Sequence, residues 1–496
     1  MEHVFPALEL LLRFDTLLVA IAGTVAGVLM GVLPGVGSVL ALTVVLPFTF
    51  SMGQVPSVVL LLAVYCGSVY GGSVSAILIN TPGTPQSAAT CLDGYPMARR
   101  GDADLALGWA TVASVIGGLF SIVVLVLAAP QLAAFALQFG PIETFSLILL
   151  ALTCIATVSR GSMIKGLLAG VVGLFLAMIG PDIMTGDIRF TFDMFQLSSG
   201  ITQVPALVGI FALSEVFLRA GSRWTGVDEV KVRVGFRVAP WSEWKKRWKV
   251  ILKSCGFGSF IGVLPGTGAT VASFISYADA KRTSPRKDKF GTGEPDGIIA
   301  SEAANNAVTG GALVPTLALG IPGDAITAVM MSTLLIQGIT PGVRLFVDNP
   351  DIVYAAFLSL ILINVLIFFV AWGGAHIFTR LLRLPEPLLM ACVAVLALVG
   401  AYVVRGNPFD LIIAVGAGIL GLLMRLGGFP PATLVIGLIL APQLEETLRQ
   451  GLIVTNGSFL EFFASPLALV FLMTTVMLLA WPLLRKKYSR KNKTLL

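Results

Sequence analysis

The sequence predicts an all-α polytopic membrane protein with two inverted-topology repeats, each built from a re-entrant hairpin and a broken helix. Its composition, the placement of its charges and a repeated pair of glycine–proline motifs predict this class. The chain has 496 residues, of which 56% are hydrophobic and 12% charged. Soluble domains carry about 25% charged residues. The composition therefore argues against a soluble enzyme, a nucleic-acid-binding protein and a disordered scaffold.

About 20 apolar residues span a bilayer as a helix, so the apolar stretches predict about 11–13 membrane segments. The stretches cover residues 16–46, 56–92, 105–130, 142–159, 163–181, 201–218, 250–280, 300–337, 352–378, 384–404, 408–424, 430–448 and 466–484. The five cysteines form no CxxC pair and only two histidines are present, so we expect neither a disulfide framework nor a metal site. No cofactor is expected beyond a coupling cation.

The basic residues cluster on alternate connections between these stretches. If the basic connections face the cytoplasm, as the positive-inside rule predicts, 28 of the 33 Lys and Arg residues lie inside. The C-terminus is then cytoplasmic. The five basic residues left outside are Arg13, Arg189, Arg344, Arg405 and Arg449.

This assignment predicts the shape of one segment. Residues 219–253 and 281–297 are both rich in basic residues, so both should lie inside. The apolar stretch 250–280 between them must then enter and leave the membrane on the same face. We therefore predict a re-entrant hairpin there.

Two motifs occur twice in the same order. Gly31-Val-Leu-Pro-Gly-Val-Gly37 reappears as Gly262-Val-Leu-Pro-Gly-Thr-Gly268, with its proline 231 positions later. A Gly-Gly pair followed by a Pro-Gly pair comes after each copy, and Pro322 lies 240 positions after Pro82. Two motifs at nearly the same offset indicate an internal repeat.

The charges predict opposite orientations for the two copies. The chain reaches Arg99 and Arg100, assigned inside, after the first Pro-Gly pair, and residues 341–351, assigned outside, after the second. The predicted parts are repeat 1 at 1–218 (hairpin 16–46, broken helix 56–92), a basic cytoplasmic linker with an amphipathic helix at 219–249, repeat 2 at 250–448 (hairpin 250–280, broken helix 300–337), and an extra helix with a basic tail at 449–496. Inverted repeats with broken helices are typical of secondary transporters.

The Pro-Gly breaks supply the candidate substrate site. Proline removes a backbone donor and ends a helix, and the N-terminus of the next half-helix presents N–H groups that bind anions. Neighbouring hydroxyl and amide side chains add neutral donors. The candidate substrate-binding residues are Gly35, Gly37, Ser38, Asn80, Thr81, Pro82, Gly83, Thr84, Ser87, Gly266, Thr267, Gly268, Asn305, Asn306, Pro322, Gly323, Asp324 and Thr327.

Structural roles compete with binding at several of these positions. The glycines could serve only close helix packing. Asp324 could cap the second half-helix or be a ligand for the coupling cation, and both roles are compatible. We place Glu302 at the inner face, and Asp93 in a turn at the inner surface.

The motifs resemble those of a known family. They are the two Gly-x-Leu-Pro-Gly-x-Gly copies, Asn80-Thr-Pro-Gly-Thr-Pro85, Leu319-Gly-Ile-Pro-Gly-Asp324, Asp93-Gly-Tyr-Pro-Met-Ala-Arg-Arg-Gly101 and Ser301-Glu-Ala-Ala-Asn-Asn-Ala-Val-Thr-Gly-Gly311. Over essentially its whole length the chain resembles the large membrane subunit of bacterial tripartite tricarboxylate transporters, the TctA family. The resemblance implies a complex with a four-helix TctB-like membrane subunit and a TctC-like periplasmic solute-binding protein.

The resemblance also implies uptake of citrate or another carboxylate across the bacterial inner membrane, driven by a Na⁺ or H⁺ gradient. We expect membrane lipid around the chain, no nucleic-acid partner and no enzymatic activity. The alternatives are a standalone carrier for another organic anion, a channel and an intramembrane enzyme. An enzyme would need a nucleophile–base pair or metal ligands, and the sequence has no His–Cys or His–Glu cluster.

Overall fold

The computed structural model describes residues 3–158, 162–220, 235–266, 268–382 and 384–493, and these are almost entirely helical. The one sheet in these ranges pairs β1 (Gly180–Pro181) with β2 (Ile188–Arg189) in antiparallel register. Seven helical segments are long and apolar enough to cross a membrane: Phe14–Val32, Gln54–Ile79, Pro85–Ala136, Gln203–Ala220, Pro350–Leu381, Glu386–Val403 and Phe409–Leu426. The predicted all-α polytopic membrane class is therefore confirmed.

The first half of the chain contains ten α-helices within the described ranges. They are α1 Val4–Leu12, α2 Phe14–Val32, α3 Gly37–Val45, α4 Gln54–Ile79, α5 Cys91–Met97, α6 Ala103–Ala136, α7 Pro141–Val158, α8 Met163–Ala177, α9 Gln203–Val208 and α10 Ser214–Ala220. The 3-10 turns are Leu46–Ser51, Pro85–Thr90 and Phe195–Leu197, and the π-helical turns are Ala98–Asp102 and Gly209–Leu213.

The second half contains eleven α-helices in the part of the chain that the structure describes. They are α11 Trp241–Lys246, α12 Trp248–Val263, α13 Gly268–Thr283, α14 Pro295–Leu319, α15 Ala325–Ile336, α16 Val343–Asp348, α17 Pro350–Leu381, α18 Glu386–Val403, α19 Phe409–Leu426, α20 Pro431–Val454 and α21 Pro466–Lys493. The 3-10 turns are Lys287–Lys289 and Phe459–Phe463. Of the predicted basic linker, 221–234 lies outside the described residues.

Two helix pairs meet at tight turns where the glycine motifs occur. α2 ends at Val32 and α3 begins at Gly37, whose φ of 69° is left-handed. α12 ends at Val263 and α13 begins at Gly268, with a φ of 67°. These bounds match the predicted hairpins 16–46 and 250–280. Whether either pair is re-entrant depends on the position of the membrane.

The first helix of each pair lies directly against the long helix that follows it. A Cβ on Gly71 of α4 would lie 3.0 Å from the Cα of Gly31, and a Cβ on Gly311 of α14 would lie 3.0 Å from the Cα of Gly262. Such approaches leave no room for a side chain. The packing interpretation of the glycine motifs therefore holds at these four positions.

Two polar helices lie at the centre of the molecule. α4 is buried from Val55 to Leu78 apart from the partly exposed Pro56, and α14 is buried from Asp296 to Ala318. α14 packs closely against α6 and α12. Polar and ionisable groups are costly in contact with lipid, so burial inside the protein allows these two helices to carry Ser, Asn and Glu residues.

Gly31 provides a test of the close helix contact. In Gly31→Ala the new Cβ would lie 2.3 Å from the Ser68 carbonyl oxygen, and overpacking of this kind costs about 1–3 kcal/mol. We expect a lower midpoint of thermal unfolding in detergent. Gly416→Ala on α19, where the added Cβ meets open space, is the matched control and should not lower the midpoint. Equal midpoints for the two variants would contradict the contact.

Candidate functional site

The first Pro-Gly break receives a hydrogen bond from the tip of the α2–α3 hairpin. α4 ends at Ile79, and Asn80 follows in a left-handed conformation with φ 56°. The Gly37 N–H donates to the Gly83 carbonyl oxygen at 3.2 Å, and the Gly83 N–H donates to the Gly72 carbonyl oxygen at 3.2 Å. The break is therefore held on one side by the hairpin tip and on the other by α4 itself.

The second break has the same arrangement. α14 ends at Leu319, and Gly320 is left-handed with φ 68°. The Gly266 N–H donates to the Gly323 carbonyl oxygen at 2.8 Å, and the Gly323 N–H donates to Thr316 Oγ1 at 3.2 Å. In both halves, a glycine N–H at the hairpin tip is bonded to the carbonyl group of the Pro-Gly glycine.

Asp324 caps the helix that follows the second break. Its Oδ1 accepts hydrogen bonds from the N–H groups of Ile326 at 3.0 Å and Thr327 at 2.8 Å, and the Asp324 N–H donates to Thr327 Oγ1 at 3.0 Å. This is a capping box, so the predicted capping role is confirmed. Tyr65 Oη donates to the other carboxylate oxygen at 3.0 Å and so joins α4 of the first half to α15 of the second.

The first break is not followed by a comparable half-helix. A 3-10 turn at Pro85–Thr90 and the seven-residue α5 replace the expected helix. Thr84 and Ser87 are buried and bonded to one another, since Ser87 Oγ donates to the Thr84 carbonyl oxygen at 2.8 Å. The expectation of two equivalent half-helix N-termini was wrong: only the second break leads into a capped helix.

The structure brings only some of the other predicted residues together. Gly35, Asn80 and Thr81 are exposed, and Pro82 is partly exposed. Asn305 and Asn306 are buried on α14, and Asn306 donates to the Glu302 carbonyl oxygen at 3.2 Å. Ser38 and Pro322 are buried, Gly268 is partly buried, and Thr267 lies outside the described residues.

Two buried side chains in this region lack hydrogen-bond partners. Both polar atoms of the Asn305 amide are unpaired, and so is Ser38 Oγ. Nearly all buried polar groups in proteins are hydrogen-bonded, because an unpaired one costs free energy. The two groups are therefore available to a ligand. Among the described residues no group of three or more His, Cys, Asp or Glu side chains could hold a metal ion.

Glu302 and Asp93 do not lie where the sequence placed them. Glu302 is completely buried on α14, and its carboxylate accepts from three hydroxyl groups. Asp93 is completely buried as well: its Oδ1 accepts from the N–H groups of Gly291, Gly293 and Glu294 at 2.8–2.9 Å. Asp93 thus fixes the loop that leads into α14, and neither acid is a solvated surface group.

An arginine contacts the first hairpin tip, which the sequence did not predict. The guanidinium of Arg219 occupies the space that a Cβ on Gly35 would take, and it donates to the Pro34 carbonyl oxygen at 3.4 Å. Arg219 also pairs with Glu215 and Glu386. Its charge is therefore already compensated by two carboxylates.

A cavity of about 780 Å³ lies beside the second break. Gly320 and Pro341 line it near the break, Gln443 and Glu446 of α20 line it on another side, and Arg344 adds a positive charge. Arg344 is exposed and forms no ion pair within the described ranges. The cavity gives an anion a route to the second break along a wall with a free positive charge.

Comparison with known proteins identifies the family. The model of the tripartite tricarboxylate transporter TctA family matches residues 17–436. The chain belongs to the TctA family. It is therefore a multi-pass membrane component of the tripartite tricarboxylate transporter type, as the resemblance of its motifs predicted.

Two relatives of this TctA-family protein come from Agrobacterium vitis. One is named "Uncharacterized 52.8 kDa protein in TAR-I ttuC' 3'region", and it is 36% identical over 98% of both chains. The other is named "Uncharacterized protein in TAR-II ttuC' 3'region", and it is 34% identical over 46% of this chain and 96% of its own length. No solved structure matches the chain.

The capping role of Asp324 can be measured by its effect on stability. Asp324→Ala removes the acceptor for two N–H groups, which costs about 0.5–2 kcal/mol for an N-cap. Asp324→Asn keeps an oxygen at the capping position. We expect the midpoint of thermal unfolding in detergent to fall for the alanine variant and to stay near wild type for the asparagine variant. An equal loss in both would contradict the capping box.

Proposed function

We propose that this TctA-family protein is the large transmembrane subunit of a carrier that imports citrate-like tricarboxylates or related carboxylates by cation symport. The observation that carries the proposal is the paired junction between hairpin tip and Pro-Gly break, found twice in a chain of this family. We further propose that the carrier works in the bacterial inner membrane with a TctB-like subunit and a TctC-like periplasmic binding protein. As a carrier it needs no enzymatic activity.

Inverted-topology repeats are part of the proposal. Repeat 1 covers 1–218 and repeat 2 covers 250–448, with 219–249 as the cytoplasmic linker and 449–496 as the additional helix and tail. The matched junctions, Gly37 with Gly83 and Gly266 with Gly323, support the internal repeat. Symmetry of this kind allows one fold to open to either side of the membrane.

The ion pairs support the proposed sidedness, with the C-terminus in the cytoplasm. Each described ion pair joins residues that the charge pattern places on one side. On the outer side, Arg189 and Arg449 both pair with Asp182 and with Glu445, at 2.6–3.0 Å. The backbone N–H groups of Thr185 and Met184, helped by Arg449 and Arg189, lower the pKa of Asp182 to about 2.

On the inner side, Arg219 and Arg425 both pair with Glu215. Lys165 Nζ donates to the Gly427 carbonyl oxygen at 2.6 Å, and Arg100 to the Gly293 carbonyl oxygen at 2.9 Å. These bonds connect separate basic segments that the positive-inside rule assigns to the cytoplasm.

In the proposed site, neutral donors hold the carboxylates. The unpaired Asn305 amide and Ser38 hydroxyl can each donate to a carboxylate oxygen. The N-terminus of α15 adds partial positive charge, while the Asp324 carboxylate occupies its first two N–H groups. Neutral donors bind an anion more weakly than a buried arginine would, which favours release.

Asp324 is the candidate ligand for the coupling cation, Na⁺ or H⁺. The test is uptake of labelled citrate by cells that contain the full transporter. Asp324→Asn keeps the cap but removes the charge, so we expect uptake to fall and to lose its dependence on the cation gradient. Asp348→Asn, at an exposed acid, should transport like wild type. Unchanged uptake and cation dependence in Asp324→Asn would exclude the coupling role.

The sidedness can be tested with single cysteines in a cysteine-free background. Thr283 and Val347 are both exposed, but the proposal places them on opposite sides. A membrane-impermeant maleimide should label Val347→Cys in intact spheroplasts and Thr283→Cys only after permeabilisation. Labelling of Thr283→Cys from outside would overturn the re-entrant arrangement of α12 and α13.

The substrate class can be tested on the partner. Purified periplasmic binding protein from the same transporter should shift its thermal midpoint with citrate or another member of a carboxylate panel. If no carboxylate binds but a sulfonate or amino acid does, the carrier acts on another organic anion.

A further inference from the structure

Glu302 lies at the centre of a closed cluster of hydroxyl groups from three other segments. Its Oε1 accepts from Ser73 Oγ of α4 at 2.6 Å and from Thr90 Oγ1, and its Oε2 accepts from Ser114 Oγ of α6 at 2.9 Å. Glu302 and Ser73 are 0% exposed, and Thr90 and Ser114 are 1% exposed. The cluster is therefore sealed from solvent.

No described residue supplies a cation to this carboxylate. The titratable groups that act on it electrostatically are Tyr70 of α4 and Cys91 of α5. Asp93, also on α5, is bound by Tyr277 of α13 and by backbone N–H groups of the loop before α14. A buried ionised carboxylate without a partner cation is costly, so this group is stable when it binds a proton or a cation.

The chemistry of the cluster favours a proton. A hydroxyl group can both donate and accept, so the three hydroxyls satisfy the carboxylate and, after one rotates, the neutral acid. Oxygen contacts of 2.6–2.9 Å are hydrogen-bond distances. Thr90 Oγ1 continues the chain to Ser301 Oγ at 3.1 Å, towards the end of α14 that the charge pattern places in the cytoplasm.

The fold does not require an acid at this position. Alignment of Gly71-Gly72 with Gly310-Gly311 matches Glu302 to Ala63 in the first repeat. Ala63 is also completely buried on the corresponding long helix. The first repeat forms the same junction without a carboxyl group at this point, so Glu302 adds chemistry that the repeated architecture does not need.

Glu302 is adjacent to the candidate substrate donors. Residues three apart on a helix lie on the same face about 5–6 Å apart, which places Glu302 beside Asn305, whose amide is buried and unpaired. A negative Glu302 repels a carboxylate at Asn305, and a protonated Glu302 does not. Proton and substrate would therefore each strengthen the binding of the other, since such coupling is reciprocal.

We propose that Glu302 is the proton-binding site of this protein and that it couples proton binding to carboxylate binding at Asn305. The proposal rests on the proposed function as a carboxylate carrier. The proton joins Glu302 when substrate binds from the outer side, and it leaves to the cytoplasm with the substrate. Asp324 stays the cap of α15 whether or not it also binds a cation.

The first test needs no substrate. Infrared difference spectra of the purified full chain are recorded during a pH titration. We expect a carboxylic-acid C=O band that disappears on deprotonation, is absent in Glu302→Gln and is retained in Asp324→Asn. A band that persists in Glu302→Gln, or that responds to added Na⁺ at constant pH, would overturn the proposal.

A second variant guards against misfolding of Glu302→Gln. Ser114→Ala removes one hydroxyl donor to the ionised carboxylate and keeps the acid. Because that donor favours the charged form, the band should then persist to higher pH. A titration identical to that of wild type would mean that the band does not come from this cluster.

The transport test uses the assembled complex in proteoliposomes. Glu302→Gln mimics the protonated acid, so carboxylate counterflow should be retained while accumulation driven by a proton gradient falls about tenfold or more, within the usual range of site coupling. Wild-type proton-driven accumulation in Glu302→Gln would overturn the proposal. If the wild-type complex moves no carboxylate, the proposed function fails, and the infrared titration still decides whether Glu302 binds the proton.

Discussion

The hydrogen bond between a hairpin-tip glycine and the Pro-Gly carbonyl group organises the rest of this structure. Backbone groups that a helix break leaves unpaired cannot be satisfied by lipid, so the protein must satisfy them internally. The Gly37–Gly83 and Gly266–Gly323 bonds do so. They require the hairpin to lie against the broken helix, which the absence of side chains at glycines such as Gly31 permits. Each hairpin and its broken helix therefore form one structural unit.

The two units are joined by polar side chains rather than by backbone. Tyr65 reaches Asp324 across the halves, and Ser73 reaches Glu302. These contacts depend on α4 and α14 being buried along almost their whole length. The same burial makes the contacts consequential, because the low dielectric of the interior strengthens satisfied polar pairs and penalises unsatisfied ones. Binding at the breaks and the state of Glu302 are thus set by one connected interior.

The sequence predicted those parts of the site that depend on local backbone chemistry. Proline and glycine at fixed spacing located both breaks and both hairpin tips, and an acid directly after Pro-Gly located the cap at Asp324. The position of Glu302 could not be predicted in this way, since its hydroxyl partners lie 229, 212 and 188 positions away along the chain. Beside a basic connection, such an acid looks like a solvated one. The Arg219 contact with the first tip depends equally on tertiary packing.

A carrier that held its anion with a buried arginine would bind whether or not a second ion was present. Here the described donors near the breaks are amides, hydroxyls and backbone groups, and the nearest buried acid opposes the substrate unless it is neutralised. Under the proposed function, this opposition is what makes transport coupled: the anion binds well only with the proton, and loss of the proton inside weakens its hold. Weak neutral donors and one removable negative charge together supply both affinity and release.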